Sequence, residues 1–488
     1  MRVHHIEEPL LEFGAGTHID VRFGIAQHGP FDVSHGTAPG NIRVGVVGSA
    51  GSIEDLTAWL EQAAAGVPAK VSRRANFHPV FPGFSVDSCF GCRLVTEERW
   101  TATMSQREIE QLIAQPPHTV VSSAVDLFVE RGRSLLGDNA LDVLICAPPG
   151  DLMERLDQVV SNAPASSKEG IDEGSEEESG DKPVSPPFHD LLKARGMTLG
   201  VPLQMVRPPT YGGQSRRMGA GRRGLALQDE ATRAWNFFTA LYYKAGGIPW
   251  RLVRDAASFA SCYAGISFFT SLDRERVLTS VAQVFNERGE GIIVRGANAQ
   301  KTKVDRQPHL SGEDAHRLIG EAIKTFREEH RHMPARLVVH KTSRFAAGEQ
   351  AGLLRAAAEE NIELVDLVTV DRSFTRLFRT GTNPPLRGTF LDLSADKALL
   401  YLRGSVEFFE MYPGMYVPRP LEMTVARSES TKHVLATEML ALSKLNWNNT
   451  QFDGGEPITV RAARQVGDIL KCVPSDSDVV QRGFRFYM

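Results

Sequence analysis

Two basic side chains one helical turn apart are the first candidates for chemistry in this sequence. His189 and Lys193, in the segment FHDLLKARG, lie at positions i and i+4 and so share one face of a predicted helix. Such a pair can hold an anion such as phosphate, because charge-assisted hydrogen bonds contribute about 1.5–3 kcal/mol each. Asn236 and Lys244 lie eight residues apart on the next predicted helix, roughly on one side. Taken alone, a His–Lys pair is more typical of an ordinary solvated helix face.

Two other motifs in the first half predict no chemistry. The turn VGVVGSAGS (44–52) lacks the G-x-G-x-x-G order of a dinucleotide-binding loop, so a tight turn between a strand and a helix is the better interpretation. Cys89 and Cys92 form a lone C-x-x-C pair, whereas a structural zinc ion needs four ligands. We therefore expect both cysteines to be free thiols.

The composition bounds the class of protein. The chain has 488 residues, with 55 Lys+Arg against 59 Asp+Glu and a formal charge of −4. That length suits two to three domains. The charge balance excludes a generally cationic, histone-like protein but leaves room for a local basic patch. The sequence has no long apolar run, no secretory signal and only five cysteines, so we expect a cytoplasmic protein with reduced thiols and no membrane segment.

One segment has the composition of a disordered loop. Residues 161–187, SNAPASSKEGIDEGSEEESGDKPVSPP, contain seven acids, two lysines and almost no strongly apolar side chain. Such a stretch buries too little apolar surface to offset the entropy lost on ordering. We predict a solvated acidic insertion, with a protein-binding element as the alternative. The segment accounts for a charge of −5, so the rest of the chain carries +1.

The elements that must position the basic residues begin with alternating strand and helix patterns. IRVGVVG (42–48) is typical of a buried strand, and SIEDLTAWLEQAAAG (52–66) of an amphipathic helix with Ser52 as its N-cap. TVVSSAVDLF (119–128) and LDVLICAPP (141–149) are interpreted as further strands. This alternation predicts a parallel, Rossmann-like α/β unit.

The second half of the chain has a different order of elements. After a helix over 229–247, three strand patterns joined by polar turns predict an antiparallel meander, and helix–strand–helix–strand follows. This is the order of the ribonuclease-H fold. The predicted strands and helices are strand 259–271, strand 277–286, strand 291–296, helix 311–329, strand 335–342, helix 346–360 and strand 362–370.

Five motifs, in this order along the chain, resemble the PIWI domain of prokaryotic Argonautes. They are ALYYKAGGIPWRL (240–252), CYAGISFF (262–269), FNERGEGIIVRG (285–296), VVHKTSRF (338–345) and KLNWNNTQFDGGEPIT (444–459). No PAZ or N domain fits ahead of residue 190, so the chain resembles a short prokaryotic Argonaute. The resemblance implies an α/β protein with a Rossmann-like MID domain over 1–245, including the acidic insertion, and a ribonuclease-H-like PIWI domain over 246–488.

The resemblance also implies a pocket for the 5′-phosphate of a guide strand. By this likeness Lys193 and Lys244 would pair with the phosphate, and His189 would contact the phosphate or stack on the first base. Asn236 matches a further position of the family's pattern. Gln204, eleven residues after Lys193, would help to hold Mg²⁺, and the C-terminal carboxylate of Met488 would reach the same ion.

Catalysis by this chain is not expected from the same likeness. Slicing Argonautes carry metal-binding carboxylates, or a histidine, at three positions where this sequence has Ser267, Thr342 and Arg464. Two hydroxyls and a guanidinium cannot replace the carboxylates that hold two metal ions. The resemblance therefore implies an inactive PIWI domain, and we expect no enzyme activity from this chain.

Family likeness then implies a guide-directed subunit of a bacterial defence complex against plasmids and phages. The guide would be a small RNA with a 5′-phosphate and the target single-stranded DNA. Target pairing would activate a separate effector protein with an APAZ domain, fused to a Sir2 or TIR NADase, or alternatively to a nuclease. Two other hypotheses stay open: an autonomous nuclease using unaligned carboxylates such as Asp273, Glu290 or Asp392, and an α/β binding protein without a guide.

Overall fold

The computed structural model describes thirteen ranges of the chain, and the strands and helices below lie within them. The described residues are 2–137, 139–161, 186–212, 228–253, 260–272, 276–285, 291–293, 298–301, 307–378, 384–412, 417–452, 454–473 and 481–488. The predicted acidic insertion lies outside the described residues except at its two ends. Within these ranges no helix combines the length and the hydrophobicity that crossing a membrane requires.

The strands and helices are labelled in chain order. The strands are β1 (Arg2–His5), β2 (Leu11–Glu12), β3 (Thr17–His18), β4 (Asn41–Ser49), β5 (Arg93–Val95), β6 (Thr101–Met104), β7 (Val143–Ala147), β8 (Leu203–Met205), β9 (Arg251–Leu252), β10 (Ser261–Thr270), β11 (Val277–Phe285), β12 (Gly291–Ile293), β13 (Gln300–Lys301), β14 (Pro308–His309), β15 (Arg336–Lys341), β16 (Leu364–Arg372), β17 (Thr389–Asp392), β18 (Lys397–Leu400) and β19 (Leu421–Arg427). The helices are α1 (Val21–His28), α2 (Ala50–Ala64), α3 (Gln106–Ile113), α4 (Pro117–Gly137), α5 (Gly150–Ser161), α6 (Phe188–Gly196), α7 (Pro208–Tyr211), α8 (Glu230–Lys244), α9 (Gly312–His330), α10 (Ala347–Glu359), α11 (Lys432–Leu442) and α12 (Ile458–Leu470).

The first half is built on a parallel sheet, as predicted. Its strands lie in the order β5–β4–β7–β8, with β6 paired to the remaining length of β4. Both β4 and β7 are runs of buried residues, which is typical of parallel strands covered on both faces. The helix after β4 begins one turn earlier than predicted, because Ser49 rather than Ser52 is the N-cap and accepts from the Ser52 amide at 3.2 Å.

One predicted strand is wrong, because residues 119–128 lie inside the long helix α4. The buried residues of this stretch repeat every three or four positions, which is the period of a helix face. Its β-branched valines favour a strand locally, but the packing of that face decides the outcome. The buried residues of this stretch of α4 are Val120, Val121, Ala124, Val125 and Phe128.

The second half contains the ribonuclease-H-like order that the sequence predicts. Within the described ranges nine strands form one sheet, in the order β1–β17–β18–β19–β16–β15–β10–β11–β12. Strands β10, β11 and β12 are antiparallel, and β15 and then β16 join β10 in parallel. Helices α9 and α10 pack against each other, while α12 packs on β10 and β11. The mixed α/β fold class is therefore confirmed.

The N-terminal residues depart from the predicted division after residue 245. Strand β1 pairs with β17 and so belongs to the sheet of the second half, although it falls in the range predicted for the first domain. Strand β2 likewise pairs with β9, at residues 251–252. The two halves also share an apolar core, in which Tyr243 stacks on Trp447 with ring centroids 5.0 Å apart. The chain therefore crosses between the halves more than once.

Candidate functional site

Lys193 lies on α6, and its side chain contacts the first residue of β8. The chain packs closely here because Gly196 has no side chain: a Cβ at this position would lie 2.2 Å from the Leu203 side chain. This approach brings the Leu203 carbonyl within reach, and Lys193 Nζ donates a hydrogen bond to it. Lys193 is only 2% exposed. The His–Lys pair therefore does not form a solvated helix face, because its lysine is in the interior.

Lys244 ends α8 and meets the same strand. Asp229 is the N-cap of the helix and its carboxylate accepts from the Thr232 amide at 3.1 Å, and Gly246 follows the helix end with a φ of +99°. Lys244 is also 2% exposed, and its Nζ donates to Oε1 of Gln204. Gln204 is fixed in turn because β8 pairs with β7. The structure thus brings Lys193, Gln204 and Lys244 together.

Two buried ammonium groups side by side are electrostatically unfavourable without an anion. Burial lowers the pKa of Lys193 to about 8. Burial lowers the pKa of Lys244 well below its ordinary value, and the neighbouring charge of Lys193 lowers it further. Within the described ranges neither ammonium pairs with a carboxylate. Buried charges are normally paired, so this cluster, hereafter the lysine pocket, has the chemistry of an anion site.

The other two predicted phosphate ligands have different surroundings. His189 is on the same helix as Lys193, but its side chain is 41% exposed, and Nδ1 hydrogen-bonds Asp190 Oδ1 at 2.9 Å. Asn236 lies about 12 Å from Lys244 along the axis of α8. Its Oδ1 accepts from the backbone and the hydroxyl of Thr450, at 2.8 and 2.9 Å. The structure therefore uses Asn236 to join the two halves and does not bring it to the lysine pocket.

The C-terminal segment docks beside the lysine pocket. Its 3₁₀ turn, Phe484–Phe486, packs against α8, and Gln481 Nε2 donates to the Met197 carbonyl at 3.2 Å. The final residue, Met488, is buried. A cavity of about 550 Å³ lies between this segment and the end of α8, and Lys244, Arg482 and Arg485 are among its lining residues. Sequence reasoning missed both arginines, although they stand in the same short segment, RGFRFYM (482–488), as the predicted ligand Met488.

The residues of this site could bind Mg²⁺ only if further oxygen ligands from outside the chain completed its coordination shell. The ion prefers six oxygen ligands in an octahedron. Gln204 offers a carboxamide oxygen that already faces an ammonium, and Met488, the other predicted ligand, is buried. Within the described ranges no group of three or more His, Cys, Asp or Glu side chains could hold a metal by itself. A phosphate and water would have to complete the shell.

Ser267 and Thr342 stand side by side in the second half, where the parallel pairing of β10 and β15 ends. Strands β10 and β15 are in register through Ile266 and Lys341, and the Thr342 amide donates to the Ile266 carbonyl at 3.2 Å. Ser267 is buried. By the sequence resemblance, these are two of the positions at which slicing Argonautes carry metal-binding side chains. Here the two positions carry neutral hydroxyls.

Arg464, the third predicted position, is directed to a carboxylate of the loop that precedes its own helix, α12. Its Nη1 donates to both oxygens of Glu456 at 2.9 Å, and Arg372 approaches the same carboxylate at 3.2 Å. The three positions therefore do not form one hydrogen-bonded cluster in the described part of the chain. Of the alternative carboxylates, Asp273 and Glu290 lie outside the described residues, and Asp392 pairs with Lys432.

The glycine before Ile266 and Ser267 has a packing role. A Cβ at Gly265 would lie 2.1 Å from the Thr459 carbonyl, so the start of α12 rests directly on β10. The Thr459 hydroxyl also hydrogen-bonds Nδ1 of the buried His340 at 2.8 Å. Burial lowers the pKa of His340 to about 4, which keeps the ring neutral near pH 7. Packing at Gly265 and the hydrogen bond of His340 thus hold β10 and β15 against the start of α12.

The cysteine pair gives no sign of a reactive site. Cys89 and Cys92 form no disulfide, and burial raises the pKa of each thiol to about 12.

Comparison with known proteins identifies the fold and nothing finer. No protein-family model matches the chain, and no curated protein matches it. Among solved structures, the Argonaute of Clostridium butyricum, bound to a guide DNA and a 19-mer target DNA, is similar with a TM-score of 0.62 at 14% identity. The match covers 97% of this chain and 53% of the Argonaute, so the chain spans about half the length of that neighbour. The chain therefore has an Argonaute-like fold.

Proposed function

We propose that this chain is a guide-RNA-binding subunit that recognises single-stranded target DNA through the guide. The observation that carries the proposal is the lysine pocket. Lys193 and Lys244 are buried beside Gln204 in an Argonaute-like fold, where the 5′-phosphate of a guide would supply the negative charge that the pocket lacks. His189, the more exposed group on α6, would contact the phosphate or the first base.

The energetics favour a 5′-phosphate over a generic segment of nucleic-acid backbone. A terminal phosphate carries up to two charges, and each charge-assisted hydrogen bond is worth about 1.5–3 kcal/mol. The ligand also removes the desolvation penalty of two unpaired ammonium groups. Mg²⁺, held by Gln204, the C-terminal carboxylate of Met488 and the phosphate, would add positive charge at the phosphate oxygens.

The proposal assigns no cleavage to this chain. Ser267 and Thr342 are neutral, and Arg464 is already paired with Glu456, so these three positions offer no carboxylate to a metal ion. Recognition of the target would have to be reported by another protein. From the sequence resemblance we infer a partner with an APAZ domain and a Sir2 or TIR NADase, in defence against plasmids and phages. A nuclease effector is the alternative.

The test is to identify what the protein carries when it is purified from cells with its partner. Bound nucleic acid is extracted, digested with RNase or DNase, and end-labelled with and without phosphatase. Short RNA with 5′-phosphates is expected, and it should be lost in the Lys193→Ala/Lys244→Ala double variant. The matched control is Lys324→Ala/Lys397→Ala, which removes two lysines that are partly exposed and ion-paired.

Two outcomes would contradict the proposal. If the double variant and its control bind RNA equally, with no preference for a 5′-phosphate, the lysine pocket does not hold the guide. If the isolated chain cleaves a guide-matched target in the presence of Mg²⁺ or Mn²⁺, the alternative of an autonomous nuclease gains instead.

A further inference from the structure

An arginine-lined groove of about 790 Å³ opens on the second half, near the start of α12. Its walls come from the end of β16, the segment before β19 and the loop that leads into α12. The arginines come from the end of β16, the segment between β18 and β19 and the first turn of α12, and asparagine and glutamine side chains stand between them. The arginines are Arg372, Arg403, Arg419 and Arg461. Their planar guanidinium groups suit phosphate oxygens, which they can bind in pairs.

Two consecutive glycines let the loop before α12 run close to these arginines. A Cβ at Gly454 would lie 2.2 Å from the Arg461 guanidinium, and a Cβ at Gly455 would lie 3.3 Å from that of Arg403. Any larger residue would push the guanidinium groups aside. The loop therefore shapes the groove as well as closing it.

Within the described lining, Glu456 is the one carboxylate among the arginines. It is 12% exposed, and burial alone would raise its pKa. Arg464 and Arg372 outweigh that effect and hold the pKa of Glu456 below its ordinary value, so the side chain is charged at neutral pH. Arg464 contacts both oxygens at 2.9 Å. Arg372 makes the longer contacts, 3.2 and 3.3 Å, and is 52% exposed against 34% for Arg464.

We propose that this groove binds the phosphate backbone of nucleic acid and that Glu456 is a built-in counter-charge, with which the phosphate must compete for Arg372. The choice of nucleic acid as the ligand rests on the function proposed above. The exchange rests on geometry alone: the exposed Arg372 has the weaker contact and can leave Glu456, while Arg464 keeps the carboxylate in place. Glu456 thereby weakens the binding of any single strand that makes few contacts elsewhere.

The exchange of Glu456 for a phosphate at Arg372 should be measurable in the salt dependence of the binding constant. Each phosphate neutralised on a single strand contributes a slope of about −0.7 to the dependence of log K on log salt. Replacing Glu456 with Gln adds one net positive charge to the groove and keeps a similar shape. The slope should therefore become steeper by about 0.7, which makes the gain in affinity about fivefold larger for each tenfold drop in salt.

The experiment measures binding of a single-stranded RNA and a single-stranded DNA, both with 5′-hydroxyl ends, to the full chain at several salt concentrations. The variants are Glu456→Gln, Arg372→Gln and the double variant. Glu360→Gln is the matched control, because Glu360 pairs with Arg327 on the α9–α10 surface at 3.5 Å. Thermal unfolding of each variant checks that it is folded.

We expect Glu456→Gln to bind nucleic acid more tightly at low salt, with a steeper salt dependence. Glu360→Gln should match the wild type. In the double variant, Arg372→Gln should abolish the gain that Glu456→Gln produces alone. Unchanged or weaker binding by a folded Glu456→Gln variant would overturn the proposal. A gain that persists without Arg372 would overturn the exchange. Polyglutamate is measured as a polyanion without nucleotides, and a gain for it equal to that for nucleic acid would overturn the choice of ligand. The probes lack a 5′-phosphate, so failure of the lysine pocket would leave these outcomes unaffected.

Discussion

Replacing Lys193 with Met should stabilise the empty protein and weaken its binding to a 5′-phosphorylated guide. The two effects have one cause, which is the buried ammonium. Methionine keeps most of the volume and removes the charge, so the core stays filled. Lys324→Met is the control, because Lys324 is 64% exposed on α9 and pairs with Glu328 at 4.0 Å.

The stability effect can be sized from the pKa of Lys193. Burial lowers it from 10.5 to about 8, which corresponds to about 3 kcal/mol against the charged form. Below pH 8 the folded and unfolded chains both carry the proton, and the folded state bears the full penalty. Between about pH 8 and 10.5 the unfolded chain binds more protons than the folded one, so the free energy of unfolding rises with pH.

The assay is denaturant unfolding of the guide-free wild type and of Lys193→Met between pH 7 and 11. The quantity compared is the difference between the two, because Lys444, whose pKa burial also lowers to about 8, titrates in both. We expect the variant to be more stable by about 3 kcal/mol at pH 7, with the difference disappearing by about pH 10.5. Lys324→Met should follow the wild type throughout.

The affinity for a 5′-phosphorylated guide should have the opposite dependence on pH, falling where the stability of the wild type rises. Losing one charge-assisted contact to the phosphate costs about 1.5–3 kcal/mol, or about 10- to 150-fold in Kd. The wild type should bind a 5′-phosphorylated RNA less tightly as the pH rises above 8, whereas Lys193→Met should lose little more. A Lys193→Met protein that is less stable than the wild type at pH 7, or that keeps full preference for the phosphate, would refute the idea that an anion completes this site.

Three further predictions concern packing and the contact between the halves. Gly265→Ala should lower the unfolding midpoint because its methyl group meets a carbonyl of α12, whereas Gly320→Ala, with open space around it, should not. Lys341→Ala leaves Glu349 buried without its ammonium partner and should cost about 3–5 kcal/mol in denaturant unfolding. Asn236→Ala should reduce stability by about 1–3 kcal/mol through its lost contacts to the second half, while the preference for a 5′-phosphate in binding assays stays unchanged.

The fold could be predicted where the apolar period was unambiguous. The strand and helix order of the second half follows from short apolar runs separated by polar turns, and the sheet has the predicted order around β10. A strand was wrongly predicted over residues 119–128 because valine favours strands locally, although the buried residues of this stretch repeat at the helical period. The pairing of β1 with β17 could not be predicted, because four exposed residues carry no signal for a strand nearly 400 positions away.

The residues of the candidate site likewise fall into those that the local sequence predicts and those that only the tertiary fold brings together. Lys193 and Lys244 each stand on a predicted helix, and their meeting at Gln204 agrees with the sequence resemblance. Asn236 shares a side of α8 with Lys244, but a rise of about 1.5 Å per residue carries it out of reach. Arg372 and Glu456 were missed because they lie 84 residues apart, and only the tertiary fold brings the end of β16 to the loop before α12.

The lysine pocket and the pair at Glu456 represent two solutions to the same electrostatic problem. In the groove, the carboxylate of Glu456 pairs with Arg372 and Arg464, so these charges need no ligand and a phosphate must compete for Arg372. In the lysine pocket, no described carboxylate does so, and the empty site carries a penalty that only a ligand removes. Binding at the pocket should therefore raise the unfolding midpoint much more than binding at the groove. Under the proposed function, this difference would make the chain selective for a strand that carries a terminal phosphate, because strands that contact only the groove gain little.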